Sequence, residues 1–188
     1  MINVNKNNSR IIWKKLGGRK KIYTKIETSK HEYRNWNPFR SKLGAALFNG
    51  LEIFPFQISS KIFYSDATSD TTLSHISDII GSNGKISVNT FNENDEKFDI
   101  IYLGILDDKN LETEILNYES HLKNSGFLIL FLNNFSNTTD SNFENLIHKM
   151  INDSKISFQL IQEVNLADFF KDHMMVLLQK TETSLRMI

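Results

Sequence analysis

Short apolar runs alternate with helical patterns from residue 61 to the end of the chain. Such alternation predicts an α/β fold with a mostly parallel sheet covered by helices on both faces. The last two apolar runs have no full-length helix between them, which leaves an antiparallel pairing open for them. The predicted strands are 61–64, 85–88, 98–103, 126–132, 158–161 and 174–178, and the predicted helices are 71–81, 111–122 and 142–151.

A different pattern occupies the amino-terminal part. Ile11-Ile12-Trp13 and Ile22-Tyr23-Thr24 flank the pair Gly17-Gly18, which predicts a β-hairpin with a glycine turn. Residues 1–9 are polar and rich in asparagine, and we expect them to be disordered. The chain therefore divides into a basic arm with a β-hairpin at 1–30 and one α/β domain at 31–182.

The segment Glu32–Leu43 concentrates aromatic and cationic residues. Asn37 before Pro38 predicts an N-cap with proline at the first helical position, and a short helix follows over 42–48. Two interpretations are open for its side chains. Trp36 and Phe39 could pack on the domain with the arginines in solvent, or the segment could serve a binding function.

Charge is distributed unevenly, although the 188 residues carry no net charge. Residues 1–45 hold 12 Lys/Arg and 2 Asp/Glu, whereas the remainder holds 10 and 20. A basic end on an acidic body indicates a polyanionic partner, and the alternative is a solvated basic tail. The chain has no cysteine, which excludes disulfides, a thiolate nucleophile and cysteine-ligated zinc. Without a secretory signal or a membrane-length apolar run, we expect a cytoplasmic protein with no membrane partner.

Two stretches carry a resemblance. Residues 32–46 resemble the fibrillarin pattern E-Y-R-x-W-x-P-x-R-S-K-L-A-A-A, and 64–78 resemble Y-L-G-A-A-S-G-T-T-V-S-H-V-S-D from the same family. The resemblance implies a Rossmann-like methyltransferase fold that uses S-adenosylmethionine (SAM). It further implies ribose 2′-O-methylation of rRNA or tRNA in a box C/D-type ribonucleoprotein, docked on a Nop-domain scaffold beside a guide RNA.

The chain departs from this pattern at the expected methyl-donor site. Asp66 and Asp70 occupy the two positions where the family's turn has glycine. Thr90 occupies the position where the family has an acidic residue after the second strand. Each aspartate adds a Cβ and a negative charge where backbone must approach the donor's carboxylate, and like charges repel by several kcal/mol at an effective dielectric of about 20. Thr71 and Thr72 match the family's threonine pair near the donor, and their first interpretation is as residues at a helix N-terminus.

About thirty residues of the family pattern are missing after the second strand, where only Glu93–Lys97 connect to the next one. At roughly 3.3 Å per extended residue, so short a connection can barely recross the sheet. We therefore expect an irregular crossover and the loss of one edge strand.

The catalytic set implied by the resemblance is Lys-Asp-Lys-His, and half of it remains. Lys42 and His173 match the first lysine and the histidine. Gly104 occupies the position of the aspartate, and Asn133 occupies that of the second lysine. A base or electrostatic partner and cations are needed to deprotonate a hydroxyl and stabilise the oxyanion. His173 has an alternative interpretation as a histidine at a strand start, bonded to Asp172 or to the backbone.

These features lead to one leading hypothesis and two rivals. The chain is a fibrillarin-like, RNA-associated component of a box C/D-type particle that binds no cofactor and is inactive, or it is an active SAM-dependent RNA 2′-O-methyltransferase. The third possibility is a protein-interaction module without RNA binding. No metal site is predicted. The predicted RNA-binding residues are Arg34, Arg40, Lys14, Lys15, Arg19, Lys20 and Lys21.

Overall fold

The computed structural model describes residues 10–26, 32–66, 70–91, 96–106, 111–133, 142–152 and 156–182. The predicted disordered residues 1–9 and most of the crossover 93–97 lie outside these ranges. No helix in the described ranges is both long and apolar enough to cross a membrane. The elements are β1 Ile11–Leu16, β2 Arg19–Lys25, β3 Tyr33–Trp36, a 3-10 helix Pro38–Arg40, α1 Lys42–Phe48, β4 Lys61–Ser65, α2 Asp70–Ile80, β5 Lys85–Val88, β6 Phe98–Leu106, α3 Leu111–Glu119, β7 Leu122–Asn133, α4 Asn142–Asn152, β8 Phe158–Asn165 and β9 His173–Lys180.

The larger sheet has six strands in the order β5-β4-β6-β7-β9-β8. Strands β5, β4, β6 and β7 are parallel, and β9 is antiparallel to both β7 and β8. The predicted mostly parallel sheet is thus confirmed, and the last two strands pair antiparallel. Two apolar clusters line the sheet, and in the described part of the chain β5 forms one edge.

Helix α3 ends at Glu119, three residues before the predicted end. Lys180 on β9 explains this boundary, because its Nζ donates to the carbonyl oxygens of Glu119 at 2.6 Å and Leu122 at 3.2 Å. A cation that satisfies terminal carbonyl groups stabilises a helix end. The predicted helix to residue 122 is therefore wrong in its last turn, and β7 begins at Leu122 instead.

The amino-terminal hairpin is confirmed, but it gains a strand. Residues 33–36 pair antiparallel with β2, so the smaller sheet has the order β1-β2-β3. The prediction of one helix start at Pro38 needs correction, because this segment contains two helix starts, each with its own N-cap residue. The Asn37 side chain accepts from the Phe39 N–H and begins a 3-10 turn, and Ser41 accepts from the Gly44 N–H and begins α1.

A polar network, buried except at Arg34, joins the smaller sheet to α2. Arg34 donates to Asp78 Oδ1 at 3.1 Å, and Thr24 Oγ1 donates to Asp78 Oδ2 at 3.0 Å. His75 Nδ1 lies 2.7 Å from the same Thr24 oxygen. Because Thr24 has a single hydroxyl hydrogen, His75 Nδ1 must carry the proton in this contact. Trp36 stacks on His75 at 4.6 Å between ring centroids and covers the inner end of the network, whereas the Arg34 side chain is 41% exposed.

Stability should fall on acidification through His75. Burial, helped by the Arg34 charge, lowers the pKa of His75 from 6.5 to about 4. Between these values the unfolded chain binds a proton that folded His75 does not, so stability is lost as the pH falls. We expect the histidine to account for about 2 kcal/mol of unfolding free energy lost between about pH 7 and pH 4.5 in urea titrations.

His75→Phe is the control for this prediction. It keeps a ring for Trp36 but removes the titrating group, so its stability should change less with pH than that of the unsubstituted chain. Equal losses in the two proteins over the same pH range would contradict the assignment.

Candidate functional site

Five positions identified in the sequence lie together at the carboxyl ends of the parallel strands of the larger sheet, which we call the site edge. Strands β4, β6 and β7 are parallel, so their carboxyl ends lie together. Asp66 follows β4, Gly104 lies near the end of β6, and Asn133 ends β7. His173 begins β9 and is the register partner of Asn133. Helix α1 begins at Lys42 and brings that side chain to the same edge.

Lys42 and Asp66 form a buried ion pair at the centre of this edge. Lys42 Nζ lies 3.7 Å from Asp66 Oδ2, and the two side chains are 6% and 1% exposed. Burial lowers the pKa of Lys42, and the charge and hydrogen bond of Asp66 act in the opposite direction. Because water has so little access to either group, each charge is stabilised mainly by the other. The lysine expected to serve catalysis is thus engaged within the protein.

Gly104 provides the space for Asp66. A Cβ atom on Gly104 would lie 3.0 Å from both Cα and Cβ of Asp66 and 3.0 Å from the carbonyl oxygen of Ser65. Two of these three atoms, Asp66 Cα and the Ser65 oxygen, belong to the backbone. A side chain at position 104 would therefore require the end of β4 to move by a few tenths of an ångström. The two positions where the chain departs from the family pattern, 66 and 104, are therefore in direct contact.

An aromatic layer lies beside the ion pair. Tyr64 stacks on Tyr102 with ring centroids 4.7 Å apart, and Tyr102 contacts Phe131 at 5.1 Å. All three rings are at most 1% exposed, and Lys42 Nζ lies 5.9 Å from the Phe131 ring. Burial raises the pKa of both tyrosines, and the nearby Asp66 raises them further. The layer therefore stays neutral and excludes water from one side of the pair.

The two threonines predicted for donor binding face different surroundings. Thr72 is buried, and its Oγ1 lies 2.8 Å from Ser41 Oγ, the N-cap of α1. Thr71 is half-buried, and its carbonyl accepts from Ser74 Oγ at 2.9 Å. Asp70 is exposed at the first residue of α2, and residues 67–69 of the turn lie outside the described ranges. Thr72 thus holds α1 against α2.

None of the described residues 89–91 after β5 carries the carboxylate that was expected to hold the ribose. Asn89 adopts a left-handed φ of 58° and donates from its N–H to the Tyr64 carbonyl at 3.0 Å, and Thr90 is exposed. Phe91 then turns back against the apolar cluster, 5.0 Å from Phe63 and 4.3 Å from His121 between ring centroids. An aromatic ring therefore packs on the sheet directly after this strand end.

His173 fits the alternative interpretation given to it above. Its Nδ1 donates to the Lys171 carbonyl at 2.6 Å, and the ring lies 5.9 Å from that of Phe170. The preceding Asp172 has a φ of 59°, which produces the tight turn into β9. A backbone bond fixes the imidazole at the edge of the site, next to Asn133 rather than a second lysine.

The predicted RNA-binding residues separate into two groups. The five hairpin cations and Arg40 are exposed, whereas Arg34 is engaged with Asp78. Trp36 is 1% exposed, as its packing interpretation requires, whereas Phe39 is 66% exposed and meets the Phe169 ring in a T-shaped contact. In the described ranges no three His, Asp or Glu side chains come together as metal ligands.

The Lys42–Asp66 contact was missed from the sequence, although a signal for it existed. Position 66 follows one predicted buried strand and position 104 lies at the end of another. Because adjacent parallel strands end at the same edge, a gained aspartate at 66 and a lost one at 104 could have been considered together.

Sequence comparisons connect the chain to one family. The sequence profile named Fibrillarin matches residues 1–94. The fibrillarin-like rRNA/tRNA 2′-O-methyltransferase of Pyrobaculum aerophilum is 30% identical over 207 aligned positions, covering 91% of this chain and 88% of that protein. The protein of the same name from Pyrococcus abyssi is 29% identical over 187 positions, covering 83% and 82%.

Solved structures support the same fold. Aeropyrum pernix fibrillarin, in complex with natively bound S-adenosyl-L-methionine, superposes with a TM-score of 0.75 at 21% identity, covering 93% of this chain and 96% of that one. A chain of a fibrillarin/Nop5p complex superposes with a TM-score of 0.64 at 20% identity, covering 93% and 98%.

Proposed function

Because this chain belongs to the fibrillarin family, we propose that it is an RNA-associated component of a box C/D-type ribonucleoprotein that no longer transfers methyl groups. Its relatives are named for action on rRNA and tRNA, and one structural neighbour was solved as a fibrillarin/Nop5p complex. The proposed partners are accordingly a guide RNA, rRNA or tRNA and a Nop-domain scaffold protein.

The observation that carries the loss of methyl transfer is the buried contact between Lys42 and Asp66. SAM would bring its own carboxylate to the strand end where Asp66 already places a buried negative charge. Freeing either charge from the other costs about 3–5 kcal/mol, which corresponds to a loss of at least a hundredfold in affinity. In this proposal the residues of the edge do not fit the donor.

The remaining catalytic positions support the same proposal. Position 104 carries no side chain, position 133 carries an amide where a second cation is expected, and Lys42 is already paired. Deprotonating a ribose hydroxyl needs a base, and the developing oxyanion needs free positive charge. Among the described residues of this arrangement, His173 is the candidate base that remains and Lys42 the cation, and both are already engaged, His173 Nδ1 with the Lys171 carbonyl and Lys42 with Asp66.

An active methyltransferase is the second candidate, and one observation favours it. Asp66 places a carboxylate beside Lys42, so a lysine–carboxylate pair persists even though position 104 is glycine. Under this alternative Asp66 would replace the missing aspartate. The chain would then have the activity for which its relatives are named.

Reconstitution tests both parts of the proposal. The purified chain is mixed with a Nop-domain scaffold, a guide RNA and a complementary target in the presence of methyl-labelled SAM. The Pyrococcus abyssi relative serves as positive control. We expect the chain to enter the particle while the target gains no label. Label that disappears in Lys42→Ala would establish the active alternative, and failure to enter the particle would refute the ribonucleoprotein role.

A further inference from the structure

The smaller sheet has one buried face and one that looks into solvent. In antiparallel strands, directly opposed residues point to the same side. Ile22, Thr24 and Trp36 are buried on the inner face. The registers Lys14↔Lys21, Leu16↔Arg19, Tyr23↔Asn35 and Lys25↔Tyr33 define the other side. We call this side the outer face; its polar and aromatic members are Lys14, Arg19, Lys21, Tyr23, Lys25, Tyr33 and Asn35.

Charge on the outer face has one sign. Its four cations have no acidic neighbour within β1, β2 or β3, because these strands contain no Asp or Glu. Lys14 directly opposes Lys21, a like-charge pair that destabilises a sheet. In the described ranges no carboxylate forms an ion pair with any of the four. A polyanion would relieve this repulsion.

Two tyrosine rings lie among these cations. Lys14 Nζ sits 4.8 Å from the centroid of Tyr33 and 5.3 Å from that of Tyr23. Tyr33 is 38% exposed and Tyr23 is half-buried, so both rings keep accessible surface. Aromatic rings set among lysines on a flat sheet supply the two contacts that single-stranded nucleic acid uses, base stacking and phosphate neutralisation.

We propose that the outer face binds single-stranded RNA, with bases stacked on Tyr23 and Tyr33 and phosphates held by Lys14, Lys21 and Lys25. The inference rests on the RNA-associated role proposed above and adds to it a surface and an RNA form. Unpaired RNA is favoured over a duplex, because duplex bases already stack on one another and cannot cover the tyrosines. It is favoured over an anionic membrane, because the relatives of this chain are named for action on rRNA and tRNA.

Fluorescence anisotropy of the full chain with a labelled single-stranded oligouridine, over a range of KCl concentrations, tests the proposal. Tyr23→Ala with Tyr33→Ala should weaken binding at least tenfold and leave the salt slope unchanged, because the phosphate contacts remain. Lys14→Gln with Lys21→Gln should weaken binding and reduce the salt slope by about 1.4, since each phosphate contact on a single strand contributes about 0.7. Thermal unfolding confirms that each variant is folded.

Matched variants separate the possible outcomes. Tyr23→Phe with Tyr33→Phe keeps both rings and should bind like the unsubstituted chain. Lys85→Gln with Lys149→Gln removes two exposed lysines elsewhere and should leave the salt slope intact. Binding that is unaffected by the alanine variants refutes the surface but keeps the RNA role. No salt-dependent RNA binding refutes the RNA role itself, and tighter binding to phosphatidylserine vesicles than to RNA assigns the face to a membrane.

Discussion

Asp66→Asn is expected to lower the free energy of unfolding by about 3–5 kcal/mol. The substitution leaves Lys42 buried, with a side chain only 6% exposed and no anion beside it. Burial already lowers the pKa of Lys42, and the substitution removes the Asp66 charge and hydrogen bond that raise it, so the loss of stability should grow as the pH falls below the ordinary lysine pKa of 10.5. Urea unfolding at two pH values measures both effects.

Two controls make this result specific to burial. Glu96 pairs with Lys61, but its side chain is 76% exposed, so Glu96→Gln should change stability by less than about 1 kcal/mol. Lys42→Met with Asp66→Asn removes both charges and should recover much of what Asp66→Asn loses. An Asp66→Asn variant as stable as Glu96→Gln would show that the pair contributes nothing.

Trp36→Ala should cost about 3–5 kcal/mol, because the ring is 1% exposed and its removal leaves a cavity between the smaller sheet and helices α1 and α2. It would also remove the surface on which His75 stacks. Phe39, three residues along and 66% exposed, supplies a matched control, and Phe39→Ala should stay within about 1 kcal/mol of the unsubstituted chain. Denaturant unfolding followed by tryptophan fluorescence and by circular dichroism compares the two.

The same experiment tests the division of the chain at residue 30. Since Ile22 and Trp36 share one apolar cluster with α1 and α2, we expect a single transition by both probes. Separate transitions for the hairpin and the larger sheet, or equal effects of the two substitutions, would contradict this arrangement.

The larger sheet was predictable because its strands are buried runs of apolar residues separated by helical periodicity. Strand β3 was not, since Tyr33–Trp36 is short and mostly polar and becomes a strand only by pairing with β2. The end of α3 depended on Lys180, a residue 61 positions away in sequence. In both cases a tertiary contact decided a boundary that local propensity left open.

At the site, motif positions predicted which residues meet but not what they do to one another. Lys42, Asp66 and Gly104 were each identified from the sequence. Their contact becomes apparent only when the ends of the neighbouring strands β4 and β6 are placed side by side. Arg34 illustrates the reverse case. Its place in a cationic segment suggested RNA, whereas its partner is Asp78, 44 residues away on α2.

Calorimetric titration with SAM and S-adenosylhomocysteine tests the proposed loss of the methyl-donor site most directly. Aeropyrum pernix fibrillarin, solved with SAM natively bound, serves as the positive control. If the buried Lys42–Asp66 pair has replaced the donor, neither ligand should release or absorb heat up to millimolar concentrations. A micromolar dissociation constant would contradict this proposal and would place Lys42, Asp66 and His173 in a working methyltransferase.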